Sequence, residues 1–228
     1  MCGRYTNHAT WAEVHAFTAP LAVATPAQDP EPAYNIAPSQ NAWVILSRDG
    51  QAVAERLRWG LVPAWAKDTK IGYSTINARV ETAATKPAFR AAWKARRCLV
   101  IATGYYEWRT EDGVKQPYWI HPKAGLMLFA GLWERNEQVA AEPMESFSII
   151  TRDGEGEIAA LHNRMPLALH PEVLGDWLDG SADAAGAIVA GAPAVEVGFH
   201  PVRREVGNVR SQGEGLIEEM GRTPGSQT

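Results

Sequence analysis

The sequence predicts one mixed domain of α and β structure, rich in antiparallel strands. Three observations predict it. The 228 residues are enough for one large core, and neither a linker nor an internal repeat divides them. Apolar runs of strand length outnumber helical stretches, and Asp49-Gly50 and Asp112-Gly113 sit between such runs as hairpin turns. The helical stretches are short and carry their own start signals.

In chain order, residues 10–18 read as a helix capped by Thr10. A proline-rich connector from Pro26 to Pro38 follows. Trp43–Ser47 and Ala52–Arg58 flank Asp49-Gly50 as a hairpin. Thr85 is placed to cap a helix over Lys86–Arg96, with Pro87 tolerated in its first turn. Strands are expected at Cys98–Ala102, Tyr105–Arg109, Pro117–His121, Met127–Leu132 and Phe147–Thr151. Helices at Glu157–Leu161 and Pro171–Leu178 and a strand at Ala194–Val202 complete the domain, over residues 1–220. The small, polar segment 221–228 is expected to be a disordered tail.

Composition narrows the function classes. Hydrophobic residues make up 46% and charged residues 21%, the balance of a soluble globular protein. No apolar run approaches the roughly 18 residues of a membrane span, and no basic and apolar leader opens the chain. Cys2 and Cys98 alone make no disulfide framework, so a cytoplasmic location is expected. Cys98, inside Arg97-Cys98-Leu99-Val100-Ile101, reads as a small core residue. No metal-ligand spacing, phosphate loop or dinucleotide fingerprint occurs, so neither metal nor cofactor is expected. The net charge of −4 argues against a uniformly basic surface but permits a local basic groove. Nine tryptophans, some near arginines, suit both core packing and the gripping of single strands.

The first residues carry the most specific chemistry. The chain begins Met1-Cys2-Gly3-Arg4. Removal of Met1 would leave Cys2 with a free α-amine and a thiol on adjacent carbons. Such an aminothiol adds to an aldehyde twice: the amine forms an imine and the sulfur closes a thiazolidine ring. The α-amine has an ordinary pKa near 7.7–8.0, so an appreciable fraction is nucleophilic at neutral pH.

Further blocks are dense in functional residue types: Trp59-Gly60-Leu61-Val62-Pro63-Ala64-Trp65, Ile76-Asn77-Ala78-Arg79-Val80-Glu81-Thr82, Gly104-Tyr105-Tyr106-Glu107-Trp108 and Leu161-His162-Asn163-Arg164-Met165-Pro166. Each has a bland reading too. Glu107 suits a solvent-facing edge strand, His162 a helix C-terminal cap, Asn77 a turn and Arg79 a surface ion pair.

Together with Met1-Cys2-Gly3-Arg4-Tyr5, Tyr34-Asn35-Ile36-Ala37-Pro38 and Arg96-Arg97-Cys98-Leu99, these blocks resemble the signature of the SOS-response-associated peptidase (SRAP) family. They occur in the family's order across nearly the whole chain. The resemblance implies a single α+β domain around a barrel-like, mostly antiparallel sheet with flanking short helices. It implies covalent capture of abasic sites in single-stranded DNA by a monomer that needs no membrane and associates with the nucleoid when engaged on DNA. Cys2 would be the nucleophile, Asn77 would hold its amine or backbone, Glu107 would move protons and His162 would act on the sugar. Arg4, Asn35, Arg79 and Arg164 would contact the DNA, with Trp65 and Trp108 lining its path. Two positions depart from the pattern: Asn163 stands where the family usually has Asp, and Thr103 where an acid is common.

Two other readings fit the same residues. One is a thiol-dependent peptidase or amidohydrolase with an N-terminal cysteine nucleophile. The other is a non-covalent module for single strands or modified bases.

Overall fold

Every position of Arg97–Ala102 is buried, because both faces of this strand are covered. In the computed structural model, which describes residues 2–221, its side chains divide with period two. Leu99 and Ile101 join a core that includes Trp11, Trp93 and Trp177, whereas Cys98, Val100 and Ala102 join one that includes Trp59, Phe129 and Phe147. A strand covered twice is apolar throughout, which is why no polar alternation marks it in the sequence.

The strands are β1 Tyr5–Asn7, β2 Val23–Ala24, β3 Ala33–Ile36, β4 Asn41–Arg48, β5 Gln51–Trp59, β6 Asn77–Arg79, β7 Arg97–Ala102, β8 Gly104–Glu111, β9 Val114–Pro122, β10 Met127–Asn136, β11 Met144–Asp153, β12 Arg164–Pro166, β13 Ala168–Leu169 and β14 Val197–Pro201. The α-helices are α1 Trp11–Thr18, α2 Val80–Ala83, α3 Arg90–Ala95, α4 Gly156–Leu161, α5 Leu174–Asp179 and α6 Ala182–Gly191.

Strands β11, β10, β7, β4 and β5 are hydrogen-bonded in that order, each antiparallel to the next. Strand β5 then pairs with β11 in parallel, Arg58 opposite Ser146 and Trp59 opposite Phe147, and this closes the barrel. Closure removes the edges that an open sheet would leave unpaired. The second sheet runs β14-β9-β8-β1-β3. It packs on the barrel through Tyr5, Tyr105 and Ile120, which share the inner core with Trp59 and Phe129. Tyr5 meets Trp59 edge to face with ring centroids 5.1 Å apart.

The fold is the mixed, strand-rich single domain that the sequence predicts, with the barrel-like, mostly antiparallel sheet and short flanking helices that the family resemblance implies. Helix α1 starts where expected: Glu13 N–H donates to Thr10 Oγ1 (3.3 Å) and the Glu13 carboxylate accepts from Thr10 N–H (2.8 Å). That reciprocal box is worth about 1 kcal/mol. Both Asp-Gly hairpins form, with Asp49, Gly50, Asp112 and Gly113 all at positive φ.

Several elements differ from expectation. The Pro26–Pro38 connector contains strand β3, which pairs with β1. The expected helix over Lys86–Arg96 starts only at Arg90, after the separate turn α2. Thr85 Oγ1 donates back to Thr82 O (3.2 Å) and so caps nothing, and Pro87 brings no N–H to a first turn. The stretch Pro171–Leu178 splits into a 3₁₀ turn, Pro171–Val173, and α5. Helix α6, with little but alanine and glycine to give it periodicity, has no counterpart in the sequence reading. Gly221 lies in a turn, and the rest of the expected tail, 222–228, lies outside the described residues. No helix among the described residues is long and apolar enough to cross a membrane.

Candidate active site

The second sheet and the barrel meet where the chain enters the fold. Strand β1 pairs with β8, Tyr5 opposite Tyr105, and Tyr106 N–H donates to Arg4 O (2.9 Å). Continued outward, that register sets Gly3 opposite Glu107, so Cys2 arrives beside Glu107. From the barrel side, β6 pairs in parallel with β11 and sets Asn77 opposite Ile149. Asn77 Nδ2 donates to Cys2 O at 2.8 Å. Asn77 Oδ1 is buried and meets no partner among the described residues.

Cys2 is fully buried. Burial raises the pKa of its thiol strongly, and the charge of Glu107 raises it further. The bland reading of Glu107 as a solvent-facing edge residue fails, since only 3% of it is exposed. Burial holds its carboxyl above the usual carboxylate range, against the opposing attraction of His162. Tyr5 and Tyr105 add buried hydroxyls to the same interior, with pKa values raised well above normal by burial and by Cys2.

His162 does cap a helix, since its N–H donates to Ile158 O (2.8 Å) at the end of α4. The cap also aims the ring. His162 Nδ1 lies 3.0 Å from both the N–H and the carbonyl of Arg164, alternative bonds that depend on the tautomer. It lies 3.8 Å from Glu107 Oε1. A Cβ on Gly154 would collide with the main-chain oxygen of His162, so the chain passes closely enough here to require glycine.

The residues expected to contact DNA fall into distinct settings. Arg79 is exposed. Trp65 is 56% exposed, on a loop held by Asn136 Nδ2 to Pro63 O and Ala66 O (2.6 and 2.9 Å). Trp108 is half-buried against the small cluster of Tyr106, Val202, Val206 and Leu216. Arg4 donates to Asn35 Oδ1 (3.1 Å) and Val206 O (2.8 Å). Asn35 is fully buried, and its Nδ2 lies within reach of the carbonyls of Val206, Asn208 and Ser211. It therefore sits behind Arg4, tying β3 to the 206–211 segment. Arg164 is buried between Glu81 (2.7 Å) and Asp153 (2.6 Å) and donates to Thr151 O (2.6 Å). Thr103, one of the two departures, is buried with its hydroxyl 2.8 Å from that of Thr6.

Sequence reasoning gave no role to Tyr73, which is 68% exposed beside the Trp65 loop. The two loops are packed together: a Cβ on Gly60, at φ +113°, would lie 2.6 Å from Gly72 O. Nothing periodic around Lys70-Ile71-Gly72-Tyr73 marks the residue, although Gly72 hints at close approach. Glu81 and Asp153 also went unassigned, because a counter-ion distant in sequence leaves no local signal. No cluster of His, Cys, Asp or Glu among the described residues is arranged to hold a metal.

Comparison with known proteins places the chain among relatives. Residues 1–209 match the family model described as SOS response associated peptidase (SRAP). The chain is 34% identical to abasic site processing protein YedK of Escherichia coli over 226 residues, 96% of this chain and all of that one. It is 38% identical to abasic site processing protein YoaM of Bacillus subtilis over 182 residues, 78% of this chain and 79% of that one. A crystal structure of a Bacteroides thetaiotaomicron protein superposes with a TM-score of 0.80 at 25% identity, covering 96% of this chain and 99% of that one.

Proposed function

The chain belongs to the SOS response associated peptidase family, and from that membership and the Cys2 pocket we propose that it processes abasic sites in DNA, capturing them covalently in single strands. Removal of Met1 frees the Cys2 amine, which attacks the open-chain aldehyde C1′ of the abasic sugar. The carbinolamine loses water to give an imine, and the thiol adds across the C=N bond to close a thiazolidine. One water is lost in all. Sulfur closure matters because a lasting imine acidifies the C2′ proton and invites elimination of the 3′ phosphate. A lysine amine would therefore promote strand cleavage, whereas the aminothiol protects the strand.

The observation that carries this reading is the approach of Glu107 Oε1 to His162 Nδ1, 3.8 Å, beside Cys2. A carboxyl whose pKa is raised by burial holds a proton more readily than an ordinary carboxylate and can both give and take one, as the carbinolamine and imine steps require. His162 is suited to hydrogen-bond the sugar ring oxygen and favour opening. Asn77 holds the Cys2 carbonyl through Nδ2, and its Oδ1 is a buried acceptor fit for the Cys2 amine. Arg79 and the outward edge of Arg4 supply positive charge for phosphates, while Trp65 and Trp108 stack on bases. Arg164, already neutralised by two carboxylates, orients His162 through its own backbone.

The environment of the thiol supports this reading over a thiol peptidase. A nucleophilic cysteine needs a depressed pKa, because the thiolate does the work. Here burial and Glu107 push Cys2 the other way. Attack by the amine first, with the thiol following as a neutral partner, is consistent with that environment. Incubation with a single-stranded oligonucleotide carrying one abasic site, followed by denaturing electrophoresis, tests the proposal. A retained protein–DNA band is expected with the abasic strand and none with the undamaged strand; a band with neither would overturn it.

A further inference from the structure

We propose, on the reading of the Cys2 pocket given above, that Glu81 is a positioning residue for the capture reaction. Its ion pair with Arg164 holds the His162 arm of the site in register with the Asn77 arm.

The two arms come from opposite edges of one strand. Strand β11 pairs in parallel with β6, Ile149 opposite Asn77 and Thr151 opposite Arg79. It pairs antiparallel with β12, Thr151 opposite Pro166 and Asp153 opposite Arg164. Thr151 thus has a partner on each side. Side chains alternate along a strand, and register partners share a face. Ile149 belongs to the inner core that includes Cys2, so Asn77, Arg79, Thr151 and Arg164 stand on the Cys2 face of the sheet. Helix α2 follows β6 without a break, and from it Glu81, four residues after Asn77, reaches Arg164 across β11.

The contact is two-pointed. Arg164 Nη1 donates to Glu81 Oε1 (2.7 Å) and Nη2 to Glu81 Oε2 (3.1 Å), which fixes orientation as well as distance. Asp153 accepts a single bond from Nη1 (2.6 Å), and its side chain is 84% exposed, so solvent screens it. The Arg164 side chain is only 7% exposed, and Nη2 also donates to Thr151 O (2.6 Å). Loss of Glu81 would leave a buried guanidinium short of compensation, a state that a folded chain relieves by moving the group.

That movement would be felt at His162, because the contacts form a ring around Cys2. Asn77 Nδ2 holds Cys2 O at 2.8 Å, and the main chain runs on from Asn77 to Glu81. Glu81 holds the Arg164 side chain, and Arg164 N–H donates to His162 Nδ1 (3.0 Å) in the tautomer that keeps its proton on Nε2. His162 Nδ1 lies 3.8 Å from Glu107 Oε1, and the Glu107 charge acts on Cys2. Asn77 is fixed independently by the β6–β11 register, so the arm that shifts when the ring opens at Glu81 is that of His162.

A double-mutant cycle on the rate of crosslinking to an abasic single strand tests the proposal. Glu81→Gln keeps the shape but not the charge of the pair and should slow crosslinking, by up to about 10²-fold for a displacement of about 1 Å. In the His162→Ala background the same change should alter the rate by less than about twofold, because Glu81 acts through His162. Affinity for undamaged single strands should also stay within about twofold. Asp153→Asn should slow crosslinking less than Glu81→Gln does. If Glu81→Gln melts below the assay temperature, Glu81→Asp, which keeps the charge but shortens its reach by one methylene, takes its place in the cycle. Tighter binding of undamaged strands by Glu81→Gln would mean that Glu81 competes with phosphate for Arg164, and would overturn the proposal. So would no slowing, or equal slowing with and without His162. Imidazole nitrogen resonances give a readout that needs no DNA. The His162 signals, identified by their loss in His162→Ala, should shift in Glu81→Gln; unchanged signals would overturn the positioning role. Failure of the Cys2 reading shows separately, as absence of crosslink from the unaltered protein, and the imidazole signals decide the proposal in that case.

Discussion

Asn77 Nδ2 donates a 2.8 Å hydrogen bond to the main-chain carbonyl of Cys2. This contact joins the start of the chain to the barrel across 75 residues of sequence, at the point where chemistry on the Cys2 amine would need a fixed geometry. Chain termini are commonly frayed, and this bond opposes fraying where it matters. Asn77→Ala should therefore slow crosslink formation while leaving non-covalent affinity for single strands nearly intact. A positioning error of about 1 Å can cost up to about 10²-fold in rate. Parallel rate and affinity measurements check it.

Glu107→Gln separates a proton shuttle from a passive filler. Gln keeps the shape but neither accepts nor returns a proton, and a positioned acid–base is typically worth about 10²–10⁴-fold. By microscopic reversibility, formation and reversal of the crosslink should both slow, with a smaller change in the amount present at equilibrium. Time courses in both directions check this.

The same substitution carries a pH signature in stability. Burial raises the Glu107 pKa, so the folded protein holds this proton more tightly than the unfolded chain does. Its stabilising effect is complete below the ordinary glutamate pKa and is lost as pH rises through the window up to the raised value. Glu107→Gln should melt higher than the unaltered protein above that window, and the difference should shrink toward acid pH. Thermal melts across a pH series check it.

Gly154→Ala tests how His162 is held. The added Cβ collides with the His162 carbonyl, so α4 and the ring must shift. The fold should survive, because the site of strain lies between β11 and a short surface helix. Crosslinking should slow most on the closed-ring sugar, where His162 acts, and least on a pre-opened aldehyde analogue.

Much of this architecture was legible in the sequence, and what escaped has identifiable causes. Hairpins with Asp-Gly turns and the Thr10 box are local, and they appeared where local chemistry put them. Strand β3 was hidden by the prolines that flank it, Pro32 and Pro38, and β6 and β12 are three-residue strands whose pairing with β11 is decided by distant chain. At the site, Cys2, Glu107 and His162 were legible as residue types, but the burial that sets the Glu107 pKa and the 3.8 Å approach to His162 are tertiary facts. The pairing of Arg164 with Glu81 and Asp153, and the commitment of Asn35 to the 206–211 segment, could not be read from one strand at a time.

The central claim is that the aminothiol of Cys2 forms the bond to the abasic sugar. Intact mass spectrometry of the denatured crosslink tests it most directly. The account predicts a species equal to the chain without Met1 plus the abasic oligonucleotide less one water, absent from Cys2→Ala, which should still bind single strands non-covalently. A crosslink of full yield from Cys2→Ala, or one from a chain that retains Met1, would contradict it.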